Sequence, residues 1–363
     1  MALTISATDS ELPKPVNVIF QQTFLREAQK VAPYFAGTMP ATLEKNRGSA
    51  TVKWRRVEDL TIQTTALGEL TGTASYMQGR DADTASVTDI TATVSKFGNF
   101  IILNEEDDVF NFTQEMDALM RAIGRNAGES LNALQRNEAE DNLTQVFASG
   151  DASDGAVDSA LTANAVESVV QDLINNSAMV FTPMTAGTEN IGTAPVLPGY
   201  WGICSPFVAS DIRKFSNFTS IEKYHTQTAT VLGEFGIVQA AGVGVRFIQT
   251  PTASVDANAG ALLGSTGLRS TGGSNIDLFT TVIYGQEALG SVGLGVQHTD
   301  GIFRTGDELG AVELIPKERG TGGTSDPYNE ISTLAWKAWH TGKVLNSDWG
   351  RAIRSGATDI NAA

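Results

Sequence analysis

The chain has 363 residues, a formal net charge of −16, 41% hydrophobic and 18% charged residues, and 36 glycines. That apolar content excludes intrinsic disorder, because so many apolar side chains need burial. The acidic excess excludes a free-standing nucleic-acid binder, whose affinity for phosphate comes from Lys and Arg.

The N-terminus, MALTISATDSELPKP, has no basic region followed by an apolar core and is not read as a signal peptide. No apolar run is long enough to span a membrane, so the expectation is a soluble chain made inside the cell, with no membrane partner. Residues 1–15 are small and polar and predict a mobile arm. Ile19, Phe20, Phe24, Ala28 and Val31 then form one apolar stripe at helical spacing, ended by Pro33. So short an amphipathic helix needs another surface, its own domain's or a neighbour's.

From residue 46 the pattern turns to strand. Thr51–Arg55 begins one strand, and Val87–Val94 begins another that Phe97, Phe100, Ile101 and Leu103 carry on. The stretch between them is rich in Thr, Gly, Ala and Asp and too long for a hairpin turn. It predicts an extended two-stranded loop lying on something else, since an isolated ribbon is marginal in water.

Glu105, Glu106, Asp107 and Asp108 suit a helix N-terminus, where the dipole favours negative charge. Met116, Leu119, Ile123, Ala127, Leu131 and Leu134 follow at spacings of three and four. Extended to Val146 and Phe147, the pattern predicts a helix of roughly 40 residues, about 60 Å long. Gly124 and Gly128 inside it predict a bend or a close helix contact.

Residues 149–162 form an Asp-containing loop without the spacing or terminal Glu of a calcium loop. A second helix is predicted over Ala163–Asn176, a strand over Gly199–Ser205 and a short helix over Phe207–Phe215. Gly244–Thr250 and Ile276–Tyr284 read as strands, residues 251–275 as a surface excursion, and Gln286–Leu289 as one helical turn. Near the end, a strand with Val312 and Leu314 enters a glycine-rich, charged tip, and a second strand returns with Trp336 and Trp339 on opposite faces. Lys317, Glu318, Arg319, Asp326 and Glu330 put both charge signs at this tip. Such exposed pairs contribute about 0–1 kcal/mol each. Helices and strands mix without a βαβ rhythm, which predicts an α+β fold.

Catalytic and metal-binding patterns are missing. His225, His298 and His340 have no partners at metal-ligand spacing, and there is no GxSxG elbow. His340, on an alternating strand, reads as a surface or interface residue, and the lone Cys204, flanked by apolar residues, as a small buried hydrophobe. Gly290–Gly295 and Gly320–Thr324 lack the lysine and following helix of a phosphate loop. No cofactor is expected.

The order of parts, together with Tyr284–Gly290 (YGQEALG), Asp326–Asn329 (DPYN), Ala335–Trp339 (AWKAW) and Lys343–Leu345, resembles the major capsid proteins of tailed bacteriophages, with the HK97-like fold. The resemblance implies an N-terminal arm over 1–45, an E-loop over 46–104, and a spine helix with peripheral domain over 105–198. It also implies an axial domain over 199–311, a peripheral-domain hairpin over 312–345 and a C-terminal tail over 346–363. Phe20, Phe24 and Arg26 are the expected arm contacts. Leu67, Leu70, Tyr76, Met77 and Arg80 are the expected E-loop contacts with a neighbouring subunit, and the charged tip is the expected contact between capsomers. The implied function is an icosahedral shell of pentamers and hexamers around double-stranded DNA, held without specific binding. Its implied partners are a portal protein, a scaffold and a decoration protein. The alternatives are an encapsulin-like compartment or an uncharacterised enzyme.

Overall fold

The computed structural model describes residues 32–43, 49–58, 60–62, 64, 85–105, 116–181, 198–224, 233–264, 266–294, 312–317, 320 and 326–360. Two sheets dominate. In the five-stranded sheet the longest strand is β14 (Ile331–Val344). One of its edges carries β13 (Val312–Lys317) and β12 (Leu289–Leu294) end to end, and the other carries β4 (Ser95–Asn104), all antiparallel. A further strand, β1 (Met39–Leu43), pairs in parallel with β12. Gly98 lets β4 approach β14 closely: a Cβ there would sit 2.6 Å from the Trp336 carbonyl oxygen. The terminal hairpin is therefore present, but as part of a sheet, and β4 lies in that sheet and not in the extended loop to which 46–104 assigned it.

The eight-stranded sheet has the order β5 (Thr144–Phe147), β15 (Gly350–Ser355), β11 (Leu278–Tyr284), β6 (Gly199–Cys204), β9 (Val243–Gln249), β8 (Glu234–Ala240) and β7 (Phe218–Ser220), with β10 (Val255–Asp256) also on β11. Every residue of β6, β11 and β15 is buried. One face packs against α2 (Ala163–Asn175), through Val166, Val169, Val170 and Leu173, and against α3 (Pro206–Ile212). Thr162 caps α2, its hydroxyl accepting from Ala165 N at 3.2 Å. A four-residue α4 (Ile221–Tyr224) follows β7.

The helix α1 (Met116–Asn142) joins the two sheets. Met120, Ile123, Ala127 and Leu131 meet Val312, Leu334, Trp336 and Ala338 of the five-stranded sheet. About two turns further on, Ala139 and nearby Leu143 meet Trp201, Ile203, Val282 and Ala352 on the second face of the eight-stranded sheet. Gly124 and Gly128 are buried on α1. α1 ends at Asn142, short of the Val146 and Phe147 to which the periodicity extends it. Val146 and Phe147 continue the apolar pattern because they enter β5, paired in parallel with β15.

Other expectations also change. The expected C-terminal tail over 346–363 contains Gly350–Ser355, which is the interior strand β15. The 105–198 unit divides, because α2 belongs to the eight-stranded sheet. Gln286–Leu289 is a turn leading into β12 and not a helical turn. His340 is no surface residue, as it is 1% exposed on the α1-facing side of β14.

Candidate assembly interface

On the face of the five-stranded sheet turned away from α1, no described residue covers the stretch formed by β4 and the paired part of β14, whereas a hairpin packs on the β12 end. Along β14, Leu334, Trp336, Ala338 and His340 are buried toward the helix, and the alternate residues point outward. Trp336 is 3% exposed and Trp339 36%, as their odd spacing predicts. On β4, Phe100 and Ile102 pair with Ala335 and Thr333 on the outward side, 61% and 53% exposed. Ile315, across from Ala335, extends the row, and the Lys337–Glu313 ion pair at 2.9 Å borders it. Behind the sheet, Asn126 of α1 accepts from Trp336 Nε1 at 3.0 Å and from Asn99 Nδ2 at 3.2 Å, fixing β14 and β4 to the helix. Among the described residues nothing covers the outward row, an unusual placement for large apolar side chains that lie together.

At the tip, Lys317 and Glu330 are exposed, and Glu318 and Arg319 lie outside the described residues. Asp326 differs from the other four. It is 7% exposed, and its two carboxylate oxygens accept from Glu330 N at 3.1 Å and Ile331 N at 2.9 Å. Its charge staples the loop where it enters β14, and Asn329 takes the left-handed backbone conformation inside that loop. Beside it Tyr328 is 81% exposed.

The base of the extended loop is a hairpin of β2 (Thr51–Val57) and β3 (Val87–Thr93). Its inner face, with Val52, Trp54, Ala92 and nearby Val94, packs on Val292 and Leu345. Arg56 ties the hairpin down by donating to the Leu345 carbonyl at 3.3 Å and pairing with Glu58 at 2.8 Å. The outer face carries Lys53 and Arg55 around Asp89, whose carboxyl they hold below its usual range. Glu58 is likewise held down, first by the Thr88 hydroxyl and then by Arg56. Toward the distal end Val57 and Val87 pair across the strands, and they and the following Leu60 and Ile62 are all exposed apolar residues. The expected contacts Leu67, Leu70, Tyr76, Met77 and Arg80, like Phe20, Phe24 and Arg26, lie outside the described residues.

Reading by composition missed Phe100, Ile102 and Trp339 as site residues. The signal was the run Phe100-Ile101-Ile102-Leu103, apolar on both faces of one strand, which requires cover on both sides. The chemistry of the rest is quiet. Cys204 is fully buried, and burial pushes its thiol far up. Among the described residues no group of three or more His, Cys, Asp or Glu is placed to hold a metal ion. No described helix is long and apolar enough to cross a membrane.

A family model for phage capsid protein matches residues 87–355. Among solved structures, the chain is similar to the capsid of Ralstonia phage GP4, with 10% identity, TM-score 0.57, and coverage of 99% of this chain and 100% of that one. The capsid of Cyanophage P-SCSP1u has 12% identity and TM-score 0.53, covering 89% and 87%. The head of Helicobacter pylori bacteriophage KHP40 has 10% identity and TM-score 0.53, covering 91% of each chain. No curated protein matches in sequence.

Proposed function

Because the chain belongs to the phage capsid protein family and has the HK97-like fold, we propose that its two uncovered apolar groups are the two halves of one contact between neighbouring copies in a capsomer. The chain is a structural shell protein of the virion, assembling with copies of itself. The proposed contact sets Val57, Leu60, Ile62 and Val87 of one copy on the row Phe100, Ile102 and Trp339 of the next, with Leu67, Leu70, Tyr76, Met77 and Arg80 extending it. The observation that carries this reading is the outward apolar row of β4 and β14, fixed from behind by α1 and uncovered by any described residue. A donor group and an acceptor surface that are different patches make a head-to-tail contact, which closes into rings.

The wider reading follows the family. Residues 1–45 act as an arm onto an adjacent subunit through Phe20, Phe24 and Arg26. Lys317, Glu318, Arg319 and Glu330 meet other capsomers, with Asp326 shaping their loop. Pentamers and hexamers close an icosahedral shell around double-stranded DNA, which the net charge of −16 keeps from binding the coat tightly. The protein is made in the host cytoplasm, works with a portal, a scaffold and a decoration protein, and catalyses no reaction. The test is the full chain with Phe100→Asp and Ile102→Asp together. Soluble, folded subunits that form no shells in negative-stain images support the reading, and shells of normal size overturn it.

A further inference from the structure

Where α1 meets the eight-stranded sheet, several parts of the chain bring together a polar cluster in which Glu140 and Arg354 are buried and Asp154 and Asp256 are partly exposed. Glu140, on the last turns of α1, is 8% exposed, and its Oε1 has no hydrogen-bond partner among the described residues. Arg136, one turn earlier, lies 3.9 Å from the other carboxylate oxygen. Arg136 is itself committed, donating to the Thr252 carbonyl at 2.6 Å and to Asn137 Oδ1. From β15, Arg354 donates to Asp154 through Nε and Nη2, at 2.9 and 3.0 Å, to Asp256 through Nη2 at 2.6 Å, and to Thr280 Oγ1 through Nη1 at 2.9 Å. The Tyr34 hydroxyl, also buried without a partner among the described residues, faces the same charges. Three carboxylates, Glu140, Asp154 and Asp256, thus share two guanidiniums, and both guanidiniums are already occupied. A third full negative charge in this place has a bare oxygen and no spare cation.

We propose that Glu140 is a proton-operated latch between α1 and the eight-stranded sheet, closed while its carboxyl is neutral and loosened when it ionises against Asp256. The groups facing it come from every element around it: Arg136 on α1, Ser254 and Asp256 on the strand-bearing segment after β9, Arg354 on β15, Asp154 beyond that, and Tyr34 ahead of β1. Burial first, then repulsion from Asp256, raises the Glu140 carboxyl to about 7, against the opposing pull of Arg136, Ser254 and Arg354. The sign follows from that direction. The folded chain holds a proton that the unfolded chain has released, so stability is full at low pH and is lost as pH rises from about 4.5 toward 7. Since α1 also carries the five-stranded sheet, the loosened contact is one of those that tie the two sheets together. The inference stands on this buried cluster and not on the intersubunit contact above, so a free subunit tests it.

The experiment uses the full chain, as free subunits and as assembled particles. An infrared carboxylic-acid band that titrates away near neutral pH in the wild type, and is missing from Glu140→Gln, is the expected spectroscopic result. Unfolding measured across the same pH range should show the folded-to-unfolded ratio of the wild type falling by up to about two orders of magnitude relative to Glu140→Gln. Asp256→Asn keeps Arg354 paired with Asp154 and removes the repelling charge, so the band should titrate at higher ionisation, shifted to lower pH. That second variant decides the matter even where Glu140→Gln does not fold. A titrating band that persists in Glu140→Gln, an Asp256→Asn midpoint equal to that of the wild type, or no band in the wild type overturns the proposal.

Discussion

The two sheets are built on different terms. The eight-stranded sheet is covered on both faces, by α2 and α3 on one and by α1, Tyr34 and Ala288 on the other, and its strands β6, β11 and β15 are buried in every residue. The five-stranded sheet is covered by α1 on one face, while on the other, among the described residues, the β2–β3 hairpin covers the β12 end and leaves the outward row of β4 and β14 open, and β14 alternates between buried and solvent-facing positions although some of the latter are apolar. The first is a complete core. The second is closed on one side only along β4 and β14, and in the proposed contact a neighbouring copy supplies the other side. The same side chain should therefore matter for folding in one sheet and for association in the other.

The largest effect on the subunit is expected in the complete core. Phe247 is fully buried on β9 and stacks on Phe235 with ring centroids 6.2 Å apart. Phe247→Ala should cost about 3–5 kcal/mol, because the closed sheet cannot collapse into the cavity. Denaturant unfolding of soluble subunits reads this directly, and a loss below 1 kcal/mol, the scale of a surface change, would break the contrast between the sheets.

Acid should loosen the five-stranded sheet selectively. His340 packs edge-on against Phe35, with ring centroids 5.3 Å apart, and its Nδ1 lies 3.1 Å from the Val292 carbonyl oxygen. That oxygen can only accept, so Nδ1 carries the proton, and Nε2 has no partner among the described residues. Burial lowers the imidazole to about 4. As pH falls below about 6.5 the unfolded chain takes up a proton that the folded chain refuses, so stability drops by up to about 3 kcal/mol by pH 4 and is unaffected above the unfolded value. His340→Gln should remove this part of the pH dependence, seen as the difference between the two unfolding profiles. Identical profiles would show that the ring is not held neutral.

At the tip, Asp326→Ala should lose two charge-assisted backbone bonds, worth about 1–3 kcal/mol locally, and leave the eight-stranded sheet intact. Faster hydrogen exchange at the Glu330 and Ile331 amides, with unchanged exchange in β11, is the expected pattern. Equal exchange at those two amides would return Asp326 to the exposed charges among which its sequence position places it.

Much of this contrast could be read from the chain, and the unread part has one cause. Leu119 to Leu134 marks α1, and the odd spacing of Trp336 and Trp339 gives their opposite faces, because both signals are periodic and local. The strand Gly-Arg-Ala-Ile-Arg-Ser was not legible as interior. Its two arginines look like surface residues until Asp154 and Asp256, far away in sequence, are seen to neutralise Arg354. Asp326 reads as a surface charge for the same reason, since its partners are backbone N–H groups that only the folded loop presents. Val146 and Phe147 prolong a helical pattern although they sit in a strand, because burial against β15 needs the same residues that a helix would. Chemistry-bearing residues of the interface fared worse than the fold, since an open apolar face differs from a covered one only by what lies on it.

The smallest expected effect on the subunit is the most telling. Phe100→Ala removes a ring that is 61% exposed, so subunit stability should change by no more than about 0.5 kcal/mol. In a shell the ring would be covered. Losing a fully buried aromatic side chain then forfeits about 1.5–3 kcal/mol at each contact, which is roughly one to two orders of magnitude in pairwise affinity. In the proposed contact each copy would act as donor and as acceptor, so the losses would add around every ring. The concentration at which particles appear, measured by light scattering and sedimentation, should rise steeply while the melting curve of free subunits stays where it was. Phe247→Ala should do the reverse, lowering the melting curve of subunits that still assemble whenever they are folded. A Phe100→Ala chain that assembles at the wild-type concentration would mean that the open face stays open in the particle, and that the two sheets differ in cover without differing in role.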